Sequence, residues 1–194
     1  MVLLTMYAPR LVRTIDRAVD YTGAVLAYGK AGEEVPNRSV VRLHRLLEDV
    51  AQVLALDLES EVEWENLVDE KLELDVDADQ MFRVVLNLCR NSVQVMTADT
   101  TLGDSVVKRI SVKAEQDASC TSIFISDTGP GFPEAAREKL FSAFQGSKRA
   151  GGTGLGLAIA ADIVGAHNGT IELLDGGQPG AHFEIHLPRG TDDH

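Results

Sequence analysis

Few cysteines, a shortage of positive charge and the absence of any long apolar run each narrow what this sequence can be. Cys89 and Cys120 lie far apart inside apolar segments with no metal-ligand spacing. Buried free thiols in a reducing cytoplasm are therefore expected. Lys and Arg number 18 against 30 Asp and Glu, a formal charge of −12, which argues against nucleic acid or an anionic membrane surface as the main partner. Any phosphate ligand must then be held by local devices: backbone N–H groups, a metal ion or a few placed cations. No stretch has the apolar length needed to cross a bilayer, and the first residues lack the pattern of a signal peptide. Repeats and low-complexity segments are absent. What is present is 44% hydrophobic residues in a chain of 194, enough for one core with an appendage.

The appendage comes first. Leu11, Ile15, Ala18, Thr22 and Val25 recur at spacings of four and three, and Val12, Val19 and Leu26 follow at sevens. This predicts a heptad-like helix over 9–29, with a stripe wide enough to need a bundle around it. Residues 29–37, with Gly32 and Pro36, read as a hinge. The expected division is an N-terminal helical segment (1–31), a linker (32–39) and a main domain (40–194).

In the main domain, Val40 and Val41 predict a short strand running into a helix over 43–56. Alternation at Val62 and Trp64, then at Leu72, Leu74 and Val76, predicts two strands. A long helix follows over 79–96, strands over 110–114 and 121–126, helices over 133–144 and 155–167, and strands over 170–174 and 182–187. Interleaved strands and helices, with neighbouring strands close enough to pair antiparallel, predict an α/β sandwich: one mixed sheet with helices packed on one face.

On the long helix, Met81, Val84, Val85, Leu88, Ser92, Val95 and Met96 trace a core face. Beside it runs a polar stripe of Arg83, Asn87, Arg90, Asn91 and Gln94. Asn87 and Asn91 stand one turn apart and project together. Asparagine is a mediocre helix former, so two of them mid-helix need a reason. A solvated face with incidental asparagines is the plain alternative. The functional reading is an amide oxygen that ligates a hard cation such as Mg²⁺.

Two glycine-rich segments follow. Asp127-Thr128-Gly129-Pro130-Gly131 ends a strand in a carboxylate and a tight turn, which taken alone is ordinary turn chemistry. Gly151-Gly152-Thr153-Gly154-Leu155-Gly156-Leu157 runs directly into an apolar helix, with Lys148 and Arg149 just upstream. Backbone N–H groups at such a helix start form an anion site. A flexible linker would seldom alternate glycine and leucine into a helix. The spacing fits neither a Walker loop nor a dinucleotide fingerprint.

In this order the segments resemble the catalytic ATP-binding domain of sensor histidine kinases, the Bergerat fold shared with gyrase-type ATPases. Asp79-Gln80-Met81 through Asn87-Leu88-Cys89-Arg90-Asn91-Ser92 resembles the N box, and Asp127 to Gly131 the first glycine box. Phe141-Ser142-Ala143-Phe144 resembles the F box, and Gly152 to Leu157 the second glycine box. The stretch from Gly180 through Phe183 to Pro188 resembles the closing strand. The resemblance covers about 40–188 and implies ATP and Mg²⁺ as ligands. Asn91 would be the Mg²⁺ ligand with Asn87 beside the phosphates. Asp127 would accept from the adenine amino group, with Gly129 and Gly131 letting the backbone close on the base. Lys148, Gly152, Thr153, Gly154, Leu155 and Gly156 would form a lid over the phosphates. Gln94 and Val95 replace the basic and aromatic residues many members carry, so one phosphate contact and one stacking contact depart from the common pattern. Hydrolysing relatives carry Glu where Asn87 stands, and an amide cannot take a proton from water at neutral pH. Phosphoryl transfer to histidine is therefore favoured over hydrolysis.

None of the five histidines stands in the His-Glu-x-x-x-Pro pattern of an acceptor. The expected chain is the donor half of the reaction, with the segment over 9–29 as second helix of a dimerising phosphoacceptor hairpin. The acceptor would lie on a missing helix or another subunit, with a response regulator and a homodimer partner expected for the full protein. The expected compartment is the cytoplasm, with room for a membrane anchor upstream. A serine kinase of the anti-sigma type and a scaffold with a vestigial catalytic domain are the alternatives. The helical N-terminal segment argues against the first, and the intact Asp127 and glycine loops against the second.

Overall fold

A computed structural model describes residues 35–56, 60–98, 107–143, 154–174 and 179–189. The helix expected over 9–29 lies outside them, as do Phe144, Lys148, Gly152 and Thr153. The described elements run β1 (Ser39–Arg42), α1 (Leu43–Val53), β2 (Glu63–Asn66), β3 (Glu73–Val76), α2 (Ala78–Ala98), β4 (Arg109–Gln116), β5 (Cys120–Asp127), α3 (Glu134–Arg137), α4 (Gly156–Ala166), β6 (Thr170–Leu173) and β7 (His182–Pro188).

Period-two burial explains the layering. Thr121, Ile123, Ile125 and Asp127 of β5 are buried while the residues between them are partly exposed, and Phe183, Ile185 and Leu187 repeat the pattern on β7. One sheet face thus meets water, and the other joins the buried faces of α1, α2 and α4 in a single core. α2 and α4 pack side by side. The five-stranded sheet has the order β2-β4-β5-β7-β6. β2 runs parallel to β4, and the other neighbours pair antiparallel. This is the α/β sandwich the sequence predicts, with one addition: β1 and β3 form their own two-stranded antiparallel sheet. Alternation of side chains specifies which face a strand buries, and leaves its partner open.

The helix expected over 133–144 is a single turn, α3, with no buried residue. Lacking an apolar stripe, the segment turns instead, burying Leu140 and placing Phe141 edge-on to Phe183 at 6.3 Å between ring centroids. α2 starts as its sequence suggests. Asp77 caps it, its Oδ1 accepting from the Gln80 N–H at 3.0 Å. His167, a helix-end residue whose position suggests a dipole-stabilised charge, is fully buried instead. Its Nδ1 donates to the Ile163 carbonyl at 2.9 Å, and its Nε2 accepts from the Asp77 N–H at 3.0 Å. A ring that accepts at one nitrogen and donates at the other is the neutral tautomer, so His167 ties the end of α4 to the start of α2.

Candidate functional site

The site forms where the exposed stripe of α2 meets the ends of β5 and β7. Asp127, the last residue of β5, is only 8% exposed. Its Oδ1 accepts from the Gly129 N–H at 2.9 Å and the Ala181 N–H at 3.1 Å. Its Oδ2 accepts from the Ser92 hydroxyl at 2.6 Å. Three donors and no acceptor is the pattern of an ionised carboxylate. Its charge adds to burial, the larger cause, in pushing the Cys89 thiol up to about 12, so that thiol is inert at neutral pH, as expected for a buried cysteine. Cys120 is only partly buried.

The glycines around Asp127 are required by space. A Cβ on Gly180, whose φ is +109°, would run into the Asp127 carbonyl oxygen. A Cβ on Gly131, at φ +68°, would lie 2.7 Å from the Gly180 carbonyl oxygen. The two turns therefore interlock backbone against backbone, which only glycine permits. An open recess results. Its walls are Asn91, Ser92 and Val95 from α2, Asp127, Gly131 and Phe132 from β5 and its turn, and Phe183 from β7 with Ala181 just before it. Phe132 stands edge-on to Phe183 at 5.9 Å, so apolar rings line the recess beside one charged oxygen.

Asn91 and Asn87 are partly buried on the same helix face, whereas Gln94 is exposed. No hydrogen bond among the described residues engages the Asn87 or Asn91 amide. α4 begins opposite them: a Cβ on Gly156 would lie 3.6 Å from the Asn87 Cγ. Leu155, the N-cap of α4, has no side-chain acceptor to occupy the first-turn N–H groups, and the positive end of the helix faces the asparagines. Of the residues the sequence singles out, Asn91, Asp127 and Gly131 line the recess, Gly129 bonds Asp127, and Gly156 and its neighbour Leu155 lie beside Asn87. Gly154 immediately precedes α4.

Five residues of the site, Phe132 of the turn after β5 among them, escape sequence reading as site residues. Ser92 carries a hydroxyl on an otherwise apolar stripe, and that polar break was the available signal. Gly180 and Ala181 reach Asp127 and Phe183 reaches the recess through the pairing of β5 with β7, which no local pattern displays.

The family described as Histidine kinase-, DNA gyrase B-, and HSP90-like ATPase matches residues 76–191. Sensory histidine kinase/phosphatase NtrB of Vibrio alginolyticus is 30% identical over 191 residues, covering 95% of this chain and 53% of that protein. The chain spans about half the length of the NtrB relatives it matches. Among solved structures, full-length ShkA in complex with AMPPNP superposes with a TM-score of 0.77 at 23% identity, over 96% of this chain and 39% of that one. Histidine kinase ThkA in complex with response regulator protein TrrA gives 0.73 at 21% identity, over 98% and 53%. The fold is that of histidine kinase catalytic domains.

Proposed function

The chain belongs to the family of histidine kinase-, DNA gyrase B- and HSP90-like ATPases, and on that premise we propose that it is the ATP-binding catalytic domain of a two-component sensor histidine kinase. The observation that carries the reading is the Asp127 cluster: a buried carboxylate fixed by three donors, with acceptor capacity left on Oδ2, at the wall of an apolar recess. Such an oxygen accepts from an exocyclic amino group and repels a carbonyl, which selects adenine over guanine.

The donor set also fits Mg-ATP. Asn91 and Asn87 offer amide oxygens, the ligand type a hard divalent cation takes while keeping several waters. Mg²⁺, when bound, supplies neutralisation of charge on the phosphate oxygens. Asn91 holds the metal, Asn87 orients the phosphates, and the Leu155–Gly156 helix start lends its N–H groups. Lys148, Gly152, Thr153 and Gly154 complete the phosphate side in this reading, with Gln94 at the rim. Asn87 cannot deprotonate water, so the site favours an acceptor that needs no base, and a neutral imidazole is one.

The acceptor is assigned to a histidine outside these five. His44 Nδ1 is engaged by the Val68 carbonyl at 2.9 Å, His167 is buried, and His182 and His186 stand on β7. In the proposed arrangement 1–31 belongs to the dimerising hairpin, 32–39 is the linker and 40–194 is the catalytic domain. A response regulator receives the phosphoryl group in this reading, a partner of the kind found with ThkA in its complex with response regulator protein TrrA. Incubating the full-length protein with γ-labelled ATP tests this. An acid-labile, base-stable phosphoprotein is expected; an acid-stable product, or no label transfer at all, sinks the kinase assignment.

A further inference from the structure

We infer that Ser92 is a positioning residue that sets base selectivity, by occupying one of the two acceptor directions on Asp127 Oδ2 so that the carboxylate offers a base one hydrogen-bond site. The inference rests on the nucleotide reading above and deepens it.

A carboxylate has about four lone-pair sites. Gly129 and Ala181 N–H groups take both on Oδ1 at 2.9 and 3.1 Å. The Ser92 hydroxyl takes one on Oδ2 at 2.6 Å. That hydroxyl has a single hydrogen, and its other reachable acceptor, the Leu88 carbonyl, lies at 3.4 Å. The shorter bond to the charged oxygen wins. Ser92 is 4% exposed and Asp127 8%, so the bond between them is largely screened from solvent. One acceptor direction remains, on a residue that lines the recess.

The count decides between bases. Adenine presents one donor, its amino N–H, beside a ring nitrogen that only accepts. Guanine presents two adjacent donors, its ring N–H and amino N–H, beside a carbonyl. An Oδ2 with both directions open can receive the guanine pair; with Ser92 in place it receives one donor only. The hydroxyl oxygen, having donated, turns only lone pairs outward and repels a carbonyl as well. Ser92 thereby also pins the carboxylate rotamer.

The test titrates the 194-residue chain and its Ser92→Ala and Ser92→Thr variants with Mg-ADP and Mg-GDP by calorimetry, with thermal melts as the folding control. The unsubstituted chain should prefer Mg-ADP. Ser92→Ala should narrow the ADP-to-GDP affinity ratio about tenfold, the worth of one charge-assisted hydrogen bond, and Ser92→Thr should restore it. Should Ser92→Ala not fold, Ser92→Cys, close in size and a weak donor, should narrow the ratio in the same direction. A ratio unchanged in the folded variant overturns the inference, whatever happens to affinity, and leaves the nucleotide site standing. A chain that binds neither nucleotide overturns the site and the inference together.

Discussion

The two ends of the cleft are built on opposite principles. At the β5 end, every polar group of the Asp127 cluster has a partner within the protein: Ser92, Gly129 and Ala181 converge on one carboxylate, and Gly131 and Gly180 interlock behind it. At the α4 end, the Asn87 and Asn91 amides make no hydrogen bond with described residues and face a helix start. The first end is preorganised for recognition, because its geometry is over-determined before any ligand arrives. The second leaves its amide groups uncommitted among the described residues, which suits a changing cargo of phosphates and metal. Specificity and chemistry thus sit on different elements that share only α2.

The largest expected effect breaks the recognition end. Asp127→Ala should weaken Mg-ADP binding at least about a hundredfold, since a charge-assisted bond to the base is lost and three donors lose their acceptor. Calorimetry reads the affinity; binding within a few-fold of the original would show that the carboxylate does not face the nucleotide. Gly180→Ala should follow: the new Cβ collides with the Asp127 backbone and should cost about 2–3 kcal/mol of stability, seen as a lower denaturation midpoint. The contrast sharpens with Asn91→Ala. It removes a group with no hydrogen bond among the described residues, so stability should hold while Mg-ADP affinity falls about tenfold. Without Mg²⁺ that loss should vanish, and a loss of equal size in EDTA would refute the ligand role.

The smallest effect probes the contact that ties the end of α4 to the start of α2. Burial raises the Asp77 carboxyl, but N–H bonds from Gln80, Asn37 and Asp79 outweigh it and hold the group below its ordinary value. Its contribution is therefore complete above the ordinary value of 3.8 and is lost as pH falls through the lower folded-state value. Asp77→Ala should cost about 1 kcal/mol at neutral pH, the worth of a helix cap, and the difference from the original chain should shrink in denaturation curves taken below pH 4.

Much was legible in the sequence because the signals are local. The period of 3.6 in α2, the period of two in β4, β5 and β7, and the glycines before α4 each follow from steric and solvation rules acting over a few residues. Asn87 and Asn91 announced themselves as poor helix formers kept mid-helix, and Asp127 as a carboxylate at the end of a strand. The short α3 departs from the expectation for a non-local reason: its residues tolerate a helix, but the segment turns where Leu140 is buried and Phe141 packs edge-on against the distant Phe183.

What the sequence by itself determined is thus which residues form the helices and strands, which faces they bury and which side chains carry acceptors and amides. The tertiary structure alone decided that Ser92 and Ala181 reach the same carboxylate, that Gly180 lies against the Asp127 backbone, and that His167 of α4 accepts a hydrogen bond from the residue that caps α2. These pairs are 35 to 90 residues apart in the chain. Strand register and helix packing bring them together, and hydrogen bonds over such separations leave no periodic trace in the sequence.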